Sequence, residues 1–401
     1  MPLPAGSAPQ HREGAGARHL TGLDAVRVLG LILVVAIHCD HWPNQAGGVD
    51  QVFWADVDLV ARISVPLFLV LSGLLLAYNQ QHRLPLPTFL RRRLGRSLLP
   101  WIVWMPIYTL VGVYLDGEVP KSWAGVAQWW ALGGGHLWYL LLIPQFYIVY
   151  QVWPTSRRGT TVAAVLALAI QIALCAYRLI APQTAPLNGF FLAHAYQIFP
   201  FWIGYFGVGA AFGAHLAAAR RRVPAWPFWI LAAAGAVLLL TVNGSRTPNA
   251  TFVQGTGAFL LPTLPLLVLA VFCAVGLGAG SWVERWPWLE RAVAVLSRYS
   301  LGIYIVHEAL TYIAGPVAYL PAAQHYLPVA FVMFLVQVLI TLVLAYAAVR
   351  VIVATRFSIT VGLPPEPLRW PRRPHWPPRP HWPHPRHPLG SDAVEDPRER
   401  T

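Results

Sequence analysis

"LDAVRVLGLILVVAIHCDHW" (residues 23–42) is an almost unbroken apolar run with an arginine near one end and two histidines at the other. As a helix it reaches the roughly 20 residues needed to cross a hydrocarbon core about 30 Å thick. Comparable spans follow near 59–79, 95–115, 136–154, 160–180, 190–214, 225–243, 256–279, 297–316 and 327–354. Composition agrees: 56% of the 401 residues are hydrophobic and 11% are charged, where a soluble chain carries about 25% charged residues. These features predict an all-α polytopic membrane protein of about ten transmembrane helices.

The formal charge of +13 would suggest a nucleic-acid partner in a soluble protein. Here the arginines cluster between apolar spans, as they do in cytoplasmic loops, so no nucleic acid is expected. Basic groups occupy alternate loops: Arg12 and Arg18, "RRRLGR" at 91–96, Arg157 and Arg158, "RRR" at 220–222, Arg285, Arg291 and Arg298, then Arg350 and Arg356. The other loops carry Asp50, Asp56, Asp58, Asp116 and Glu118, with Arg246 and Lys121 as minor exceptions. Both termini are therefore expected in the cytoplasm. The first span follows a long tail and lacks a small-residue cleavage site, so it reads as a retained helix. An arginine-rich, nearly lysine-free chain with abundant Ala, Pro and Gly fits a bacterial cell membrane.

Three parts follow: a disordered tail over 1–20, a transmembrane domain over 21–358, and a Pro/Arg/His/Trp-rich tail over 359–401. In the last, "RPHWPPRPHWP" (373–383) repeats RPHWP, and its prolines favour an extended, disordered segment. Contact of its Arg and Trp with anionic headgroups, or metal binding by its histidines, are sharper alternatives. The three cysteines (Cys39, Cys175 and Cys273) are scattered and imply neither disulfides nor a thiolate metal site.

Ionisable groups inside the hydrocarbon mark functional sites. Arg27 and His38 are eleven residues apart. At about 100° per residue they share one helix face, roughly 16 Å apart along the axis. Arg27 could be a simple anchor paired with Asp24, and His38 a core histidine with a satisfied hydrogen bond. Their shared face favours a cation that holds an anion and an imidazole that moves a proton. "HCDH" (38–41) could also suggest zinc, with His38 and His41 as ligands. A zinc site needs further ligands and no second cluster is evident, so no metal is expected. Cys39 and Asp40 point away from His38.

Four more stretches stand out. In "SLGIYIVHE" (300–308), Ser300, Tyr304 and His307 form one polar stripe on an apolar helix. Glu308 beside it could pair with an imidazole or approach the outer interface. In "VPLFLVLSGLLL" (65–76), Ser72 and Gly73 suit close helix packing. "GGGHLWYLLL" (133–142) opens a span with His136 and Trp138, the latter in the usual place of an interfacial anchor. "FLRRRLGRSLLP" (89–100) holds more arginines than topology requires, and Arg93-x-x-Arg96 suits a bidentate grip on phosphates.

Together these stretches resemble the acyltransferase-3 family of bacterial integral-membrane acyltransferases. "LDAVRVLGLILVVAIH" is similar to the family's Arg, ten residues, His pattern, met by Arg27 and His38. "VPLFLVLSGLLL" resembles its Phe-rich segment ending in Ser-Gly, with Leu69 and Leu74 at two positions usually held by phenylalanine. "RRLGRSLLP" resembles its Arg-x-x-Arg before a proline, and "HLWYL" and "SLGIYIVH" its later Trp and Tyr-x-x-His segments. The matches run in the family's order over residues 21 to 356.

The resemblance implies transfer of an acyl group, often acetyl, from cytoplasmic acyl-CoA to a hydroxyl of a glycan, lipid-linked sugar or secondary metabolite. Arg93, Arg96 and Arg27, with Ser72 nearby, would serve the CoA donor. His38 would be general base or transient acyl carrier. His307 and Tyr304 would orient the acceptor or stabilise the oxyanion, and His136, Trp138 and Ser300 would line the acceptor side. The competing class is a transporter or flippase of a lipid-linked glycan, in which Arg27, His38 and His307 line a pathway.

Overall fold

The computed structural model describes residues 21–39, 51–79, 85–112, 122–182, 184–216, 225–243, 261–314 and 326–366. These belong to one compact unit, which reaches Pro367. Residues 1–20 and 367–401, Asp40, His41, Arg83 and the arginines at 220–222 lie outside the described residues, whereas 359–366, the start of the expected C-terminal tail, are described.

All regular structure among the described residues is helical. The helices are α1 (Thr21–Cys39), α2 (Gln51–Ala61), α3 (Ser64–Tyr78), α4 (Leu86–Val111), α5 (Trp123–Ala131), α6 (Tyr139–Val152), α7 (Arg157–Ile180), α8 (Pro186–His194), α9 (Ile203–Leu216), α10 (Trp226–Asn243), α11 (Leu264–Ala274), α12 (Gly280–Val283), α13 (Pro287–Ala314) and α14 (Leu327–Val353). Six helical stretches among the described residues are long and apolar enough to cross a membrane, or seven if α5 and α6, bent by 50°, form one span. The apolar helices α9 and α10 are shorter. At 28 residues α13 is long enough, but its polar stripe and charged ends dilute its apolar character.

The expected spans map onto these helices with instructive differences. Asp56 and Asp58 fall inside α2 rather than in a loop. Asp58 accepts two hydrogen bonds from Arg62, at 2.6 and 3.1 Å, which neutralises both charges one turn apart. The 190–214 span breaks into α8 and α9 around Pro200, which cannot continue a helix ladder. α5 has no buried residue, and its sequence "WAGVAQWWA" carries no apolar span of transmembrane length.

Ser72-Gly73 packs as its small residues predict. A Cβ on Gly73 would strike the Phe206 carbonyl, and Cβ atoms on Gly209 and Gly213 would strike the Val70 and Leu74 carbonyls. α3 and α9 therefore meet backbone to backbone, an approach open only to glycine. Gly22 of α1 meets Gly276 in the π-helical turn Val275–Ala279 in the same way. On the other side, α13 and α14 run antiparallel. Tyr299 stacks edge-on with Tyr346 at 5.6 Å and accepts from Arg350 at 3.2 Å, while Gly302 faces Val349.

Beyond α14, a 3-10 turn (Arg356–Val361) folds back on the bundle. The Trp104 indole donates to the Thr360 carbonyl at 3.0 Å, and Tyr299 donates to Glu366 at 2.8 Å. Glu366 also pairs with Arg298.

Candidate active site

Three segments far apart in sequence converge on one carboxylate. α1 brings His38 near its C-terminal end, α13 brings His307 and Glu308, and the 3-10 turn Gly135–Trp138 brings His136. The turn depends on glycine. Gly133, Gly134 and Gly135 have φ of 93°, 34° and 51°, in the left-handed region that costs other residues energy. A Cβ at Gly133 would also overlap Trp138, and one at Gly134 would overlap Trp129 and Met105. This sharp reversal drops His136 into the bundle, where it is buried, instead of leaving it at the surface where a span would open.

Glu308 lies between two imidazoles. One carboxylate oxygen is ion-paired with His136 Nδ1, and the other lies 3.6 Å from His38 Nδ1. His136 Nε2 lies 3.2 Å from the Ile305 carbonyl, so it carries a proton and donates. His307 Nδ1 is 2.7 Å from the Tyr304 carbonyl and likewise donates. That leaves His307 Nε2 a lone pair, and it has no hydrogen-bond partner among the described residues. The three rings are edge-on, with centroids 5.0 Å apart for His38–His307 and His136–His307, and 5.7 Å for His38–His136.

Two tyrosines frame the cluster. Tyr304 donates its hydroxyl to the His136 carbonyl. Tyr108 of α4 donates to the Ile305 carbonyl at 2.7 Å and stands edge-on to His136 at 4.7 Å. His136 and His307 are buried, whereas the His38 side chain keeps 25% exposure. His38 is therefore the imidazole of the three most open to a reactant. Among the described residues no group of three or more His, Cys, Asp or Glu has metal-binding geometry. Cys39 is fully buried and meets Thr341 of α14 at 3.7 Å.

Arg27 lies on the same helix, toward the other end of α1. Its Nη1 donates to Asp24 at 3.1 Å and to Ser297 at 2.6 Å, and Ser297 donates to Asp24 at 2.5 Å. The anchoring pair with Asp24 is thus present, and 26% of the side chain stays exposed. Ser72 lies beside the Tyr139 hydroxyl, and Tyr139 contacts Tyr304 at 6.0 Å. Arg93 lies over Phe89 and Tyr147 at 5.7 and 5.8 Å, while Arg96 is exposed.

Two residues lie apart from the carboxylate. Trp138 is buried against Trp202 at 5.3 Å and Tyr196 at 5.6 Å, an aromatic core position rather than an interfacial one. Ser300 donates to the Ser297 carbonyl at 2.9 Å within its own helix. Sequence reasoning singled out His38, His136 and His307 but left Glu308 between two readings and passed over Tyr108. A carboxylate within an otherwise apolar span was the available signal for Glu308. Nothing in the sequence distinguishes Tyr108 from any aromatic residue of a membrane helix.

A glutamate thus lies between two imidazoles drawn from separate segments of a multi-pass membrane protein. Comparison with known proteins supplies the class. A model of the acyltransferase-3 family, described as an acyltransferase domain, matches residues 20–350 of the 401-residue chain. The chain belongs to that family, and its membrane helices carry an acyltransferase domain. Searches of curated proteins and of solved structures each found no match.

Proposed function

We propose that this protein is a ten-helix O-acyltransferase of the bacterial cell membrane with both termini in the cytoplasm. It takes an acyl group, acetyl above all, from cytoplasmic acyl-CoA and passes it to a hydroxyl of a glycan, lipid-linked sugar or secondary metabolite. The observation that carries this reading is Glu308 held between His136 and the partly exposed His38. A carboxylate at Nδ1 holds that nitrogen protonated and turns Nε2 outward as the base, the logic of a nucleophile–base–orienter array.

In the reaction, His38 Nε2 takes the proton of the acceptor hydroxyl while its oxygen attacks the thioester carbonyl carbon. The C–S bond breaks, and the imidazolium returns the proton to the departing CoA sulfur, leaving ester and free CoA. Glu308 stabilises the transient positive charge on His38. His307 Nε2 accepts a hydrogen bond from the acceptor hydroxyl and orients it. Tyr304, committed to the His136 carbonyl, holds the glycine turn in place rather than touching the oxyanion. On the donor side, Arg93 and Arg96 take the CoA phosphates, and Arg27 offers the part of its guanidinium not used by Asp24 and Ser297.

Acylation of surface glycans, lipids and small metabolites is compared in cells carrying wild type or His38→Ala. The expected result is loss of one acylated species in the variant. Unchanged acylation beside lost export of a glycan would sink this reading and support a flippase. Acyl-CoA binding to the purified chain, weakened by Arg93→Ala, tests the donor side separately.

A further inference from the structure

A second buried polar group, on α14, has nothing to bond among the described residues. Gln337 lies in "LPVAFVMFLVQVLITLVL", a stretch with no other amide side chain. It is fully buried, and neither its Oε1 nor its Nε2 has a hydrogen-bond partner among the described residues. A buried amide left unpaired is costly, so packing alone favours an aliphatic residue here.

The register of the helices places it. Tyr299 meets Tyr346 and Arg350, and Gly302 faces Val349. Thr341 stands near the level of His307, because it meets Cys39, whose neighbour His38 faces His307 and Glu308, and Gln337 follows one turn from Thr341 along α14. Thr341 touches Cys39, the neighbour of His38, and so ties this face of α14 to the same end of α1. His307 Nε2 and the Gln337 amide are thus two fully buried groups without partners among the described residues, set about one helical turn apart in level on neighbouring helices.

We infer that Gln337 is an acceptor-binding residue whose carboxamide recognises a second hydroxyl of a polyhydroxyl acceptor, next to the hydroxyl aligned on His307 and His38. This rests on the acyl-transfer reading of the same centre. A carboxamide presents a donor and an acceptor side by side, which matches adjacent hydroxyls of a sugar or polyol. A site built to bond a hydroxyl rejects analogues that lack it far more strongly than an apolar pocket does. A simple alcohol would satisfy His307 and leave Gln337 bare.

The test uses the full chain in lipid nanodiscs, as wild type, Gln337→Leu and Gln337→Met. Binding of hexyl β-D-glucoside and of 1-hexanol is measured by saturation-transfer NMR against empty nanodiscs, with acetyl-CoA affinity and thermal stability in parallel. The expected result is that wild type prefers the glucoside, and that both variants weaken it at least tenfold. Hexanol and acetyl-CoA binding stay unchanged, and Tm does not fall. A wild type without preference for the glucoside would overturn the inference. So would variants that bind it normally, or variants that lose all three ligands with a lowered Tm. Acetyl transfer from acetyl-CoA to the same probes is scored separately. A glucoside site dependent on Gln337 in a protein that transfers nothing to any probe leaves the polyol site standing and removes acyl transfer.

Discussion

Two polar clusters tie α1 to α13, one toward each end of α1, and they are built on opposite plans. The Asp24–Arg27–Ser297 cluster is a closed ring, in which each member bonds both of the others. The His38–Glu308 cluster is open. Glu308 is shared between two imidazoles, His38 keeps access to its surroundings, and His307 Nε2 has no partner among the described residues. The closed ring commits Arg27 Nη1, Asp24 and Ser297 to one another and holds the two helices together. The open cluster leaves His307 Nε2 uncommitted among the described residues, which is why the proposed chemistry is placed there.

Substitutions can break that contrast. The largest effect is expected from His38→Ala, which should lower the rate of acyl transfer by about 10²–10⁴-fold with Tm within a degree or two of wild type. Glu308→Gln should come next. It keeps the shape of the carboxylate but removes its charge, so kcat should fall by about 100-fold with acyl-CoA KM unchanged. A loss confined to KM would show that Glu308 serves binding instead. In the closed ring the pattern should reverse. Ser297→Ala removes two hydrogen bonds and should cost about 1–3 kcal/mol of stability, read as a lower Tm in nanodiscs, with kcat changed less than threefold. Arg93→Ala should have the smallest effect, a several-fold rise in acyl-CoA KM that shrinks as salt is raised. A salt-independent rise would point to lost stacking on Tyr147 in place of lost charge.

The fold was legible where it rests on composition. Apolar spans near twenty residues long announced most helices, and α7, α10 and α14 begin or end within three residues of their expected bounds. What hydropathy could not convey was where spans break. Pro200 splits one span, because backbone bonding there is decided by local chemistry that a window average smooths away. The candidate site was legible residue by residue but not as an arrangement. The shared face of Arg27 and His38 followed from helical periodicity. That His136 would be drawn inward depended on three consecutive left-handed glycines, and "GGG" alone does not state which way a chain turns. Trp138 shows the opposite error: a tryptophan at the start of a span suggests an interface, yet the same turn places it among Trp202 and Tyr196.

The contacts between α1 and α13 also bear on how the chain is made. Arg27 and Ser297 are 270 residues apart. At about 5–20 residues per second, α13 is synthesised some tens of seconds after α1. During that interval α1 waits in the bilayer with an arginine and a histidine and none of its later partners. Asp24 meets the need for the arginine at once, being three residues away on the same helix, and His38 can wait uncharged. The local pair therefore serves α1 as a temporary escort, and removal of Asp24 should harm insertion of the first helix before it harms the finished protein.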